Sequence, residues 1–396
     1  MILPCMYWVC LELFDSSIVG LVAIVLMAVS PIHVLFAQEA RQYSLWILTT
    51  LLSSGSLLRA LRLNTKFSWI IYTTSLALSF YIFIFSGLVT IGHFIYVAIT
   101  ERWQMSQRFI NYLLSSLLGV ITFVPWIIVI ISNWHRLQET TEWIGNMNFT
   151  LPLLIERWLL NYSFIFIDLG SDFAKPLIYL LIFIMIGYSI YFICQKTPQK
   201  VWVFVVTLMG TLALILMVAD IITGGVRSVV PRYLFPSYLG VQLAVAYLIY
   251  AKITATSFRK QWLGKILLAL LLSGGIISCI IISQAEYWWL KGGSFKDPVM
   301  PQIARIINQA DNPLVISSCQ GIWSVNSKLS LSHLLAPQVK FQLTIPPNIP
   351  KIPPSFNHIF LFDTSQELED RLEQEENFKL ETLAPEKLGL LKLIRQ

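Results

Sequence analysis

Long apolar runs dominate this chain, and short polar groups punctuate them. Runs at 16–31, 43–60, 68–82, 85–100, 109–131, 176–194, 201–221, 234–251 and 263–283 each read as a helix crossing a membrane, for which about 20 apolar residues suffice. Residues 2–13 (ILPCMYWVCLEL) read as the end of a further helix. The stretch 68–99 is open to two readings, one long tilted helix or two short ones broken near Ser86 and Gly87.

Basic residues decide between the two. With two helices, the turns fall into alternating sets. The set 59–67, 100–108, 195–200 and 252–265 holds eleven Lys and Arg in 38 positions; the set 31–42, 83–84, 132–175 and 222–233 holds six in 70. Cytoplasmic loops carry the excess of positive charge, so the first set is expected on the cytoplasmic side. The second set, with everything after 283, is expected outside. The outer segment 132–175 carries Trp134, Trp143, Trp158 and five acids, and 151–168 reads as a helix along the interface.

After Gln284 the pattern changes to mixed polar and apolar, with prolines clustered at 346–354. Tyr287, Trp288 and Trp289 read as an interfacial aromatic belt. Beyond them the pattern predicts a helix over 299–310, strands at 314–317 and 358–362, an acidic helix at 365–376, and closing strands at 378–382 and 388–394. This small α/β unit carries no glycine-rich phosphate loop and no metal-ligand spacing, and no chemistry is assigned to it. The expected organisation is therefore an all-α polytopic membrane protein over 1–284, with nine spans and a partial one, followed by a small extracytoplasmic α/β domain over 285–396. Its expected location is the plasma (inner) membrane.

Composition agrees. The 396 residues are 56% hydrophobic and 13% charged, with a mean hydropathy of +0.67; a soluble domain carries about 25% charged residues. The net charge of +6 follows from the basic turns and calls for no nucleic acid. Cys5, Cys10, Cys194, Cys279 and Cys319 form no C-x-x-C pair, and they read as buried small apolar residues. The N-x-S/T triplets at Asn148 and Asn161 read as accidental.

Two outer clusters carry candidate chemistry. In S-P-I-H-V-L-F-A-Q-E-A-R-Q-Y-S-L-W (30–46) stand His33, Gln38, Glu39, Arg41 and Tyr43. Arg41 offers a planar fork suited to phosphate oxygens. Glu39 could ligate a divalent cation or orient Arg41, or the two could pair in a loop that only anchors the interface. In T-G-G-V-R-S-V-V-P-R-Y-L-F-P (223–236), Arg227 and Arg232 flank a proline beside Gly224 and Gly225, which reads as an anion site or as ordinary loop structure. Asp220 could pair with Arg227 or with Arg232. His93, inside an apolar run, reads as a helix-packing residue. Both clusters are expected on one membrane face, which favours a shared site for an anionic, membrane-borne substrate.

The S-P-x-H-V-x-x-A-Q-E-A-R-x-Y-S-L-W stretch, followed by P-R-Y-L-x-P before a helix, resembles the GT-C membrane glycosyltransferases. The nearest likeness is to bacterial relatives of the dolichyl-phosphate-mannose protein mannosyltransferases, over residues 1–283. The resemblance implies a polyprenyl-phosphate-linked sugar as donor and a glycan, lipid or protein acceptor on the outer face. It implies that Glu39 and Arg41 line the donor site and that Arg232 and Tyr233 meet the lipid phosphate. The family's acidic catalytic base and proline motif follow its first spanning helix. Here the chain begins within what would be the second helix, so the base is expected upstream of Met1; an enzyme is expected, with the activity of the chain as written left open. The other readings are a lipid-linked-glycan flippase and a non-catalytic remnant.

Overall fold

Polar residues at the starts of the apolar runs turn them into helices. Ser106 accepts from the Phe109 amide at 3.1 Å, and Thr65 with Ser68 closes a reciprocal capping box, so amide groups left over at a helix start are satisfied. The computed structural model describes residues 1–147, 149–169, 175–285, 299–318, 321–345, 348, 352–375, 378–383 and 389–395. The chain divides into two compact units, Met1–Gln284 and Ala285–Gln396.

The first unit is helical throughout. In chain order come α1 (Ile2–Phe14), α2 (Ser17–Ala28), α3 (Pro31–Ala37), α4 (Tyr43–Leu63), α5 (Lys66–Ile82), α6 (Ser86–Thr100), α7 (Gln107–Ser132), α8 (Trp134–Asn146), α9 (Leu151–Ser163), α10 (Lys175–Lys196) and α11 (Gln199–Thr223). Two 3-10 turns, Arg227–Val229 and Pro231–Tyr233, lead into α12 (Phe235–Ile253) and α13 (Phe258–Gln284). The stretch 68–99 forms two helices, as the charge pattern requires. Five helices (α4, α7, α10, α11 and α13) are long and apolar enough to cross a membrane, and α2 with α3 passes the same test as a bent pair. That is six at most against the nine spans expected: α5 and α6 run to only 17 and 15 residues, short of a full crossing, and α12, at 19 residues, is not among the helices that pass.

Two further expectations are corrected. Residues 31–42, read as a loop, begin with α3. Proline at its first turn suits a helix start, and a 63° bend separates α3 from α2. The bend frees backbone groups, and neighbours take them up. The Ile32 amide donates to the Phe164 carbonyl at 3.3 Å and the Val29 carbonyl accepts from Cys279 Sγ at 3.5 Å; the Ser30 side chain adds a further tie, its Oγ donating to the Ile165 carbonyl at 2.6 Å. The outer segment, read as holding one helix over 151–168, holds α8 as well as α9.

α12 is covered on nearly every side. It packs against α2, α10, α11 and α13, and Gly240 lets it approach the Met209 backbone so closely that a Cβ would lie 2.9 Å from the Met209 nitrogen. Small residues at such crossings let helix backbones meet. α7 and α10, by contrast, leave most of their apolar surface uncovered.

The turns sort to two ends. At one, Glu12 on α1 receives Arg62 at 2.8 Å, Asn111 donates to Asn64 at 3.1 Å, and Tyr247 Oη donates to the Lys196 carbonyl at 3.4 Å; these are basic turns of the first set or residues beside them. The opposite end gathers residues 30–43, 83–85, 158–166 and 227–238, described below.

The second unit contains α14 (Met300–Asn308), β1 (Pro313–Ser318), α15 (Gly321–Leu334), β2 (Lys340–Thr344), β3 (His358–Phe362), α16 (Gln366–Glu375), β4 (Phe378–Thr382) and β5 (Leu390–Arg395). The sheet order is β2-β1-β3-β5-β4. β2, β1 and β3 run parallel, while β5 is antiparallel to β3 and β4. Side chains alternate across the sheet: Val315 and Phe360 pack with Ile303, Ile307 and Leu331, whereas Leu314, Ile316 and Leu361 pack with Leu368 and Leu372. The helix α15 and edge strand β2 are additions to the elements predicted. The expected belt at Tyr287, Trp288 and Trp289, the triplet at Asn148 and Cys319 lie outside the described residues.

Candidate functional site

The site is built where α3, α4 and α12 meet. Phe235, the first residue of α12, stands edge-on to Phe36 of α3, with ring centres 5.2 Å apart, and lies 6.5 Å from both Tyr43 and Trp46 of α4. Phe83, between α5 and α6, closes on Trp46 at 4.5 Å, and Phe85 stacks edge-on against Tyr233 at 5.0 Å. These rings form a wall whose polar members are residues of both sequence clusters.

Arg232 lies against that wall. Its guanidinium carbon is 5.8 Å from the Tyr43 ring centre and 5.5 Å from that of Tyr233, within cation–π range. The Tyr43 hydroxyl lies within electrostatic reach of both Arg232 and Arg41. Arg41 and Arg232, 191 positions apart in sequence, therefore meet at one tyrosine. Arg232 Nε and Glu39 Oε2 are both buried atoms with no hydrogen-bond partner among the described residues. Glu39 and Arg41 are linked through the backbone, the Arg41 amide donating to the Glu39 carbonyl at 2.8 Å. Gln38 is exposed on the same turn.

His33 lies deeper, 7% exposed. Its Nε2 is 3.1 Å from Gln242 Oε1 on α12, and its ring stacks on Phe235 at 5.6 Å. His33 thus fixes α3 to the central helix. Gln242 was not singled out in the sequence, although a lone amide inside an apolar run is itself a signal.

Arg227 has a different task. Its Nη1 meets Asp220 Oδ1 at 3.2 Å, the Gly224 carbonyl at 2.9 Å and Thr223 Oγ1 at 3.3 Å. Of the two pairings open to Asp220, the structure makes the one with Arg227. The other Asp220 oxygen accepts the Ser228 amide at 2.6 Å. From the other side, Trp158 Nε1 donates to Ser228 Oγ at 2.8 Å and Asn161 Nδ2 to the Val229 carbonyl at 2.9 Å. Gly224 and Gly225 take positive φ values of 73° and 108°, which glycine adopts at no steric cost and which let the chain leave α11 sharply. Asn161 is buried and engaged, in keeping with an accidental triplet there. Nearby, burial pushes the Tyr162 hydroxyl up from its ordinary range, and its hydrogen bond with Ser237 brings it partly back.

Among the described residues no group of three or more His, Cys, Asp or Glu gathers as a metal site. Glu39 contributes one carboxylate. A hard divalent cation there would have to complete its shell with substrate phosphate oxygens and water, as magnesium does at phosphate sites.

His93 sits apart from the site, between Ser54 at 3.2 Å and the Tyr72 hydroxyl at 3.4 Å, a packing role between helices. Comparison with protein-family models gives no match, and comparison with curated proteins gives none either.

Proposed function

We propose that the protein is a multi-pass membrane glycosyltransferase that takes its sugar from a polyprenyl-phosphate donor on the outer face of the bilayer. The observation that carries this reading is the meeting of Arg41 and Arg232 on Tyr43, with an unpartnered Arg232 Nε beside them. The two arginines stand just ahead of the starts of α4 and α12, and helix N-termini favour negative charge. A buried donor without a partner is costly; a phosphate oxygen would satisfy it.

In such a transfer, the bond from the sugar's anomeric carbon to the phosphate oxygen breaks and its electron pair stays on the phosphate. An acceptor hydroxyl oxygen bonds to that carbon and gives its proton to a base. The arginines favour the step by stabilising the phosphate charge as it develops. The base is assigned to no described residue. The distribution of basic residues supports placing this end of the helical unit outside the cytoplasm.

The test uses the full chain in nanodiscs with a polyprenyl-phosphate radiolabelled sugar. The wild type is expected to retain the donor, and Arg232→Ala and Arg41→Ala to lose it by tenfold or more, the scale of one charge-assisted hydrogen bond. Equal retention by all three proteins would overturn the reading. So would movement of a fluorescent lipid-linked sugar across liposomes without any transfer, which would mark a carrier.

A further inference from the structure

We infer that Asp220 is a positioning residue that sets the direction of Arg232. The inference rests on the donor-site reading for its purpose, but its geometry stands apart from that reading. Asp220 is 3% exposed and ends no salt bridge at the surface. It uses both oxygens on the segment just ahead of Arg232, one on the Arg227 guanidinium and one on the Ser228 amide. Trp158 and Asn161 of α9 grip the same three-residue turn from the opposite side. The turn Arg227–Val229 is therefore held between α11 and α9, and Val230 alone separates it from Pro231. Proline locks its own φ, so the orientation set at Ser228 passes along a stiff path to Arg232.

That path explains an otherwise odd distribution of charge. The segment carries two arginines and one acid within reach, yet the acid engages the arginine farther from the aromatic wall. Arg227 neutralises Asp220, and Arg232 is left with Tyr43 and Tyr233. An unclamped 227–233 segment would let Asp220 and Arg232 pair instead, closing the anion site from within. Asp220 thus acts through Arg232 and needs no contact with substrate.

Two measurements test this. In a cysteine-free background, the maleimide labelling rate of Arg232→Cys reports how well that position is held against Tyr43 and Tyr233, with no substrate present. Adding Asp220→Ala is expected to raise the rate about tenfold, the scale of losing a buried charge-assisted contact. Donor retention is then measured for Asp220→Ala, Arg232→Ala and the double variant. If Asp220 acts through Arg232, its replacement weakens retention in the native background and changes nothing further once Arg232 is gone, the non-additivity expected of coupled residues. Asp220→Asn, which keeps an acceptor for the Ser228 amide, and Trp158→Phe, which removes only the indole donor, give intermediate rates and serve if Asp220→Ala fails to fold. Unchanged labelling across these variants, or additive losses of retention, would overturn the inference. Raised labelling together with retention indifferent to Arg232 would support the clamp and overturn the donor-site reading.

Discussion

The guanidinium of Arg232 lies 5.8 Å from the centre of the Tyr43 ring, bringing the turn before α12 against the first residue of α4. At that range a planar, delocalised and weakly hydrated cation interacts with the ring better than a compact ammonium does. Arg232→Lys is therefore expected to fail as a substitute. It should bind donor no better than threefold above Arg232→Ala, read by donor retention in nanodiscs; full recovery by lysine would mean that charge alone matters there.

His33 and Gln242 form a buried pair whose loss depends on which partner is removed. Either His33→Leu or Gln242→Leu leaves one polar group unsatisfied and costs about 1–3 kcal/mol. The double variant should cost less than the sum, because both polar groups leave together. Unfolding of the detergent-solubilised protein in denaturant reads the difference, and strict additivity would show that the 3.1 Å contact carries no coupling.

Gly275 of α13 faces the bend between α2 and α3. A Cβ there would fall 2.5 Å from the Val29 carbonyl oxygen, closer than side chains come to backbone. Gly275→Ala is expected to destabilise by roughly 1–3 kcal/mol, the usual cost of overpacking, and to lower the thermal midpoint. Gly187→Ala, with open space at its Cβ position, is the control and should leave the midpoint unchanged or slightly raised.

In the second unit, Lys328 is 3% exposed and its ammonium lies 2.8 Å from Asp363 Oδ2. Removing the lysine alone leaves the partly exposed Asp363 carboxylate with Ser327 Oγ at 3.2 Å but without its cation, so the cost is set below the fully buried case, at about 1–3 kcal/mol. Lys328→Met with Asp363→Asn, which removes both charges and keeps a residue suited to the left-handed backbone there (φ 53°), should recover part of it. Far-UV circular dichroism through a thermal ramp on the full chain is the measurement, and a double variant no better than the single would contradict the argument.

Orientation is open to a direct check. Single cysteines at Arg41 and Lys260, introduced into a cysteine-free chain in intact cells, are expected to label oppositely with a membrane-impermeant maleimide. The Arg41→Cys protein should react from outside and the Lys260→Cys protein only after permeabilisation. Equal access from outside would undo the assignment of ends.

Much of the helical layout was legible because apolar length and the charge of the turns are strong, additive signals. The division of 68–99 into α5 and α6 followed from the basic residues of all the turns taken together, Arg59, Arg62, Lys66, Arg102 and Arg108 among them. What escaped was set by tertiary contact. α3 begins with a serine and a proline, a readable helix start, but its brevity hid it among polar neighbours. α15 (GIWSVNSKLSLSHL) has serines where a helical stripe would show, and β2 is an edge strand whose burial pattern is mostly open. At the site, two sequence clusters announced their arginines. The separate tasks of Arg227 and Arg232 depend on Asp220 and Trp158, whose sequence neighbourhoods carry no motif.

The bend at Val29 has a consequence for which helices of the first unit are tied together. Its carbonyl is lodged against Gly275 and Cys279, so α13 cannot rotate or slide without dragging the segment that carries Arg41. That flank of the molecule behaves as a fixed jamb. α7, packed chiefly on α5, has most of its span uncovered by protein and takes no part in that lock.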